Sequence, residues 1–163
     1  LGRLIHRLGP IFAAGFVVSM AILILEIVLR YVFGSPTLWA HETTIFICAV
    51  NFVFGGLYCA AKDRHIRVVL IYDYVPARVR RVLDVVISLT CAVSAGFFAY
   101  AAWVMVERAV MRPDGSFRLE TTGSAWNPPT PALIKVFLFA VLIVLCVQFL
   151  ILAWNHATKR VPD

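Results

Sequence analysis

Glu26, Arg30 and Glu42 are the residues whose type and position could do chemistry in this chain. Glu26 and Arg30 stand four apart inside one long apolar run, and Glu42 opens the next. An ionised side chain at the centre of a bilayer costs roughly 2.5–3.5 kcal/mol on insertion scales, so such groups face protein, water or one another. Two chemistries fit. One is a membrane-embedded acid that trades a proton for a cationic substrate. The other is a charge cluster that holds helices together or meets a partner. Acid first and base four residues later is the favourable order for a pair within one helix, and Glu42 near a helix start gains from the helix dipole. The sequence therefore favours a structural or partner-facing cluster of Glu26, Arg30 and Glu42, with Trp39 in the turn between them.

No other group adds a reaction. His6, His41, His65 and His156 sit at run ends or outside the runs, so facing haem ligands within a bundle are not indicated. Cys48, Cys59, Cys91 and Cys146 all fall in apolar stretches without a paired spacing, as small apolar packers. No nucleophile arrangement, phosphate-cradling loop or metal-ligand cluster stands out. The expectation is a protein that is not an enzyme, with no catalytic, metal or substrate-binding residue and no cofactor.

The elements that must position these residues are membrane spans. Of 163 residues, 61% are hydrophobic and 15% charged, with a mean hydropathy of +0.87; soluble domains lie nearer 45–50% apolar and about 25% charged. Four apolar runs, about 10–33, 38–61, 82–106 and 131–154, each reach the roughly 20 residues a spanning helix needs. The sequence thus predicts a single all-α membrane domain over 1–163, with an inner loop at 62–81 and an outer loop at 107–130. Arg3, Arg7, the six Lys and Arg of Lys62–Arg81, and Lys159 and Arg160 fall on one side, against Arg108, Arg112 and Arg118 on the other. The positive-inside rule then puts both termini in the cytoplasm. The net charge of +6 is this asymmetry and not a nucleic-acid footprint.

Helical spacing sorts the spans into faces. Gly15, Ser19, Ile22, Glu26 and Arg30 share one face of the first. Thr44, Cys48, Asn51, Gly55 and Cys59 line the second, and Ser88, Ala92, Ala95, Ala99 and Ala102 the third. Rows of small and weakly polar residues let membrane helices approach closely. The fourth span is apolar nearly all round, which reads as the most lipid-facing, with Lys135 free to snorkel and Gln148 available for a helix–helix hydrogen bond. Ser35-Pro36 and Thr130-Pro131 look like helix starts. The inner segment with His65 and Arg67 suits the interface, its basic groups towards phospholipid headgroups. The outer loop, with Arg112, Arg118 and Glu120, is long enough to bind something.

A four-helix proton-coupled exporter of the small multidrug resistance kind is the alternative, with Glu26 as its acid. Arg30 one turn away and the long outer loop both oppose it, and there are no broken helices or inverted repeats for a midplane site.

Arg30-Tyr-Val-Phe33, Trp39-x-x-Glu42, and Asp63-Arg-His65-Ile-Arg67-Val68 with Tyr72-Asp73-x-x-Pro76 and the arginines that follow resemble the small membrane subunit, DctQ-like, of tripartite ATP-independent periplasmic (TRAP) transporters. His41 and Val69 stand where that pattern usually carries acids. The resemblance implies a bacterial inner-membrane location and two partners. One is a large permease subunit holding the sodium-coupled substrate path, sodium ions included. The other is a periplasmic substrate-binding protein that captures an organic acid. The small subunit would brace the first and help dock the second. On that implication Glu26, Arg30, Trp39, Glu42 and Asn51 belong to the large-subunit interface or the turn, His65 and Arg67 to the inner segment, and Arg112, Arg118 and Glu120 to the docking loop.

Overall fold

The computed structural model describes residues 2–61, 76–111 and 114–158. Among the described residues four helices carry the fold: α1 (Gly2–Tyr31), α2 (Ala40–Ala61), α3 (Ala77–Val110) and α4 (Thr130–Thr158). All four are long and apolar enough to cross a membrane, as the apolar runs require when every backbone N–H must bond within its own segment. The helices overrun the apolar runs: α1 begins at Gly2 and carries Pro10 inside it, and α3 begins at Ala77.

Their order in space is not their order in the chain. α1 packs on α2, α2 on α4, and α4 on α3. One apolar cluster joins Ile5 of α1, Phe54 and Leu57 of α2 and Val141 of α4, with Phe12 stacked on Phe54 at 3.8 Å between ring centroids. A second joins Ala60 of α2, Ala92 and Ala95 of α3 and Phe149 of α4. The fourth span is therefore not the most lipid-facing helix; it sits between α2 and α3. Its uniform apolarity serves both contact on two sides and a remaining exposed strip of Leu133, Ile143, Val147 and Leu150, which suits lipid.

The small-residue faces do become contact seams. Ser19 and Glu26 of α1, Thr44 and Asn51 of α2, and Ser88, Ala92, Ala95 and Ala102 of α3 are buried. Cys59 departs from its seam and is exposed. Close approach of α1 to α2 depends on two glycines. A Cβ on Gly9 would lie 2.7 Å from the Tyr58 ring, and one on Gly15 would lie 2.4 Å from Asn51 Nδ2. Between α3 and α4, Cys146 Sγ donates to the Ala92 carbonyl at 3.4 Å.

At the end carrying the termini, Arg81 near the start of α3 reaches across to α4. Its Nε donates to the His156 carbonyl at 2.9 Å and its Nη2 to the Ala157 carbonyl at 2.7 Å. The last carbonyls of a helix have no partner within it, and a cation is favoured there. Arg81 therefore ties the two helices where the apolar seam ends. The expectations for His65 and Arg67, and for Arg112 in the other loop, lie outside the described residues.

Ala92→Leu should test the α3–α4 seam, since it forces three further carbons into a closed contact. Overfilling of this kind costs about 1–3 kcal/mol, read as a lower melting temperature in detergent. Ala101→Leu, on the exposed side of the same helix, should leave the melting temperature unchanged.

Candidate functional site

The turn between α1 and α2 is built on Glu26. α1 ends in a reversal at Gly34, whose φ of +62° favours glycine, and the Ser35 N–H donates to the Leu29 carbonyl at 3.0 Å. The chain then runs back past Glu26. Arg30 Nη2 and Nε donate to Glu26 Oε1 at 2.7 and 3.1 Å. The Thr37 N–H donates to Oε2 at 3.1 Å, and the Thr37 hydroxyl donates to the same oxygen. Both carboxylate oxygens are thus occupied, one by a cation on the same helix and one by the returning chain. Glu26 is 8% exposed, whereas the Arg30 side chain is 53% exposed, so the pair presents its positive half outward.

Ser35-Pro36 is not the start of α2, which begins at Ala40. The residues from Ser35 to Thr37 instead belong to neither helix nor strand, and Thr37 reaches back to Glu26. Trp39 closes the turn with its carbonyl taking the Thr43 N–H at 2.9 Å, its ring left exposed.

Glu42 does not join Glu26 and Arg30. Its Oε2 accepts from the Thr122 hydroxyl at 3.3 Å, in the loop between α3 and α4. That loop folds back on the end of α3. The Arg118 N–H donates to the Val110 carbonyl at 2.9 Å and the Glu120 N–H to the Ala109 carbonyl at 2.8 Å. Met111 and Phe117 form an isolated antiparallel bridge. A tight cap follows: Asn127, at φ 50°, accepts the Gly123 N–H on Oδ1 at 2.9 Å and donates its own N–H to Ser124 Oγ at 3.0 Å. Asparagine tolerates this backbone region because its short side chain bonds locally.

Lys135 is not free to snorkel, because it pairs with Glu120 and fastens the loop to α4. Arg108, Met111, Arg118, Leu119 and Glu120 surround an open cleft of about 310 Å³. Arg118 is exposed there.

Asn51 lies midway along α2, 5% exposed, against Gly15 of α1. Its Nδ2 has no hydrogen-bond partner among the described residues, and neither has Gln148 Oε1, so the helix–helix bond expected of Gln148 is not made. Among the described residues no group of three or more His, Cys, Asp or Glu could hold a metal ion.

The family of DctQ components of tripartite ATP-independent periplasmic transporters matches residues 19–159. A C4-dicarboxylate TRAP transporter small permease protein DctQ from Vibrio cholerae serotype O1 (strain ATCC 39315 / El Tor Inaba N16961) is 25% identical over 104 residues. The match covers 63% of this chain and 45% of that relative, less than half of its length.

Sequence reasoning placed Glu26 with Arg30 but missed Thr37, the second partner of Glu26, and Thr122, the partner of Glu42. Threonine beside proline in a polar turn carries no periodicity to mark it. Replacing Glu26 by alanine should release the Thr37 amide. Its hydrogen exchange should then rise roughly tenfold, the factor that loss of one ordinary hydrogen bond implies, while the amides of α4 keep their protection.

Proposed function

The chain belongs to the DctQ component family of tripartite ATP-independent periplasmic transporters, and we propose that it serves as the small membrane subunit that braces a large permease subunit. It is a transporter component and not an enzyme. In this reading the sodium-coupled substrate path, with its sodium ions, lies in the large subunit, and this chain holds neither. Both termini lie in the cytoplasm of a bacterial inner membrane. The turn built on Glu26 and the loop at 111–129 then face the periplasm. There Arg118, with Arg112 and Glu120, helps dock a substrate-binding protein, and His65 and Arg67 meet phospholipid headgroups on the inner side. The name of the Vibrio cholerae relative favours a C4-dicarboxylate or a related organic acid as the cargo.

The observation that carries this over a small proton-coupled exporter is the state of Glu26. An exporter's acid must be open to a proton and to its substrate in turn. Here Arg30 holds one oxygen and Thr37 the other, which is how an anchor is built.

Two measurements test the reading. Arg30→Ala should lower recovery of this chain with the large subunit severalfold, because a half-exposed guanidinium over a satisfied acid is available to a partner, while the KM for substrate in the surviving complex stays unchanged. A changed KM with an intact complex would overturn the bracing role. Arg118→Glu should raise the binding-protein concentration needed for half-maximal uptake, more so at low ionic strength, as expected for steering by charge at the rim of an interface. Uptake that is unchanged at every salt concentration would remove the loop from docking.

A further inference from the structure

We propose that the groove between α1 and α2 seats one transmembrane helix of the large permease subunit, with Asn51 as its hydrogen-bonding post; this rests on the small-subunit reading. The groove measures about 390 Å³ and is lined by Phe12, Phe16, Asn51, Phe54, Gly55 and Tyr58 among others. Its walls are apolar, as a lipid-facing surface would be. Two features set it apart from such a surface.

The first is Asn51. Its side chain lies midway along α2, 5% exposed, with Nδ2 unpartnered among the described residues. An amide left unbonded in hydrocarbon is unfavourable, and an acyl chain offers it no acceptor. A protein helix does, through a hydroxyl, a side-chain amide or a backbone carbonyl with a spare lone pair. Oxygen and nitrogen of an asparagine amide interchange by a half-turn about Cβ–Cγ, so the donor can be presented to the groove without moving the backbone.

The second feature is the division among the glycines. Gly9 and Gly15 make room for Tyr58 and Asn51 within the chain. Gly55 and Gly56 make room for nothing: a Cβ on either meets no atom within 4 Å. Glycine facing lipid forfeits helix propensity and contact area without return, whereas glycine facing a second helix permits close backbone approach. Gly55, which lines the groove beside the unsatisfied amide, is complementary to a helix that brings a small residue and an acceptor to the same level.

Gly55→Leu tests this directly, because the new side chain enters the groove while its Cβ clears the rest of the chain. The isolated variant should melt at or above the wild-type temperature. Its recovery with a tagged large subunit should fall roughly tenfold to a hundredfold, the range implied by overfilling a close contact. Recovery at the wild-type level would overturn the groove as the seat. A photo-crosslinking aromatic amino acid at Phe16, which lines the groove and is 51% exposed, should give an adduct with the large subunit. Adducts confined to phospholipid or to a second copy of this chain would overturn the proposal, leaving wild-type assembly and the small-subunit reading intact. Failure of the wild-type chain itself to associate with the large subunit would overturn both.

Discussion

The structure depends on one constraint: a polar group placed in hydrocarbon must find its partner inside the protein. Glu26 shows how this fixes the fold locally. A buried carboxylate near a helix end needs donors for both oxygens. Arg30 supplies them for one, and the other draws Thr37 back from eleven residues along the chain. The turn that joins α1 to α2 is thereby set by an acid in the preceding helix. A hydrophobic contact could not do this at the membrane edge, where the chain leaves the apolar medium and burial ceases to discriminate between conformations.

The same logic recurs at the other junctions. Arg81 closes the open carbonyl end of α4 from the start of α3. Glu42 takes Thr122, and Glu120 takes Lys135, so the loop at 114–129 is held to both α2 and α4. Between these fastenings the helices are joined chiefly by apolar clusters and small residues, with weak thiol hydrogen bonds such as Cys146 Sγ to the Ala92 carbonyl among them. Directional bonds fix the ends, and shape fixes the middle. Within a bilayer apolar surface gains nothing by leaving lipid for protein, so close fit and hydrogen bonds are what remain to hold helices together.

This division explains what could be read from the sequence. The four spans, the Glu26–Arg30 pair and most of the seam residues follow from helical periodicity, which is local and survives any arrangement of the helices. Ser88, Ala92, Ala95 and Ala102 mark the buried side of α3 whatever helix covers it. The identity of that helix is not local information. Nothing in the composition of α4 distinguishes an outer helix bathed in lipid from one clasped on two sides, because lipid and a neighbouring helix are equally apolar. Thr37 and Thr122 were illegible for a different reason. A threonine in a turn becomes a ligand for a carboxylate only through the path the turn takes, and that path is a consequence of the bond.

Polar satisfaction also separates the residues that build this chain from those that look outward. Glu26, Glu42, Glu120, Lys135 and Arg81 have partners within it, and each fastens one segment to another. Asn51 is as buried as any of them, yet its amide donor is idle beside the open Gly55. Gln148 is also buried, with an idle oxygen, but does not line the groove between α1 and α2, so burial and lack of a partner do not by themselves mark an interface. What marks one is the conjunction: an unmet hydrogen bond, a concave apolar wall and small residues that leave room. In a chain of this family, that conjunction has the physical form a neighbouring helix would fill under the assembly proposed above.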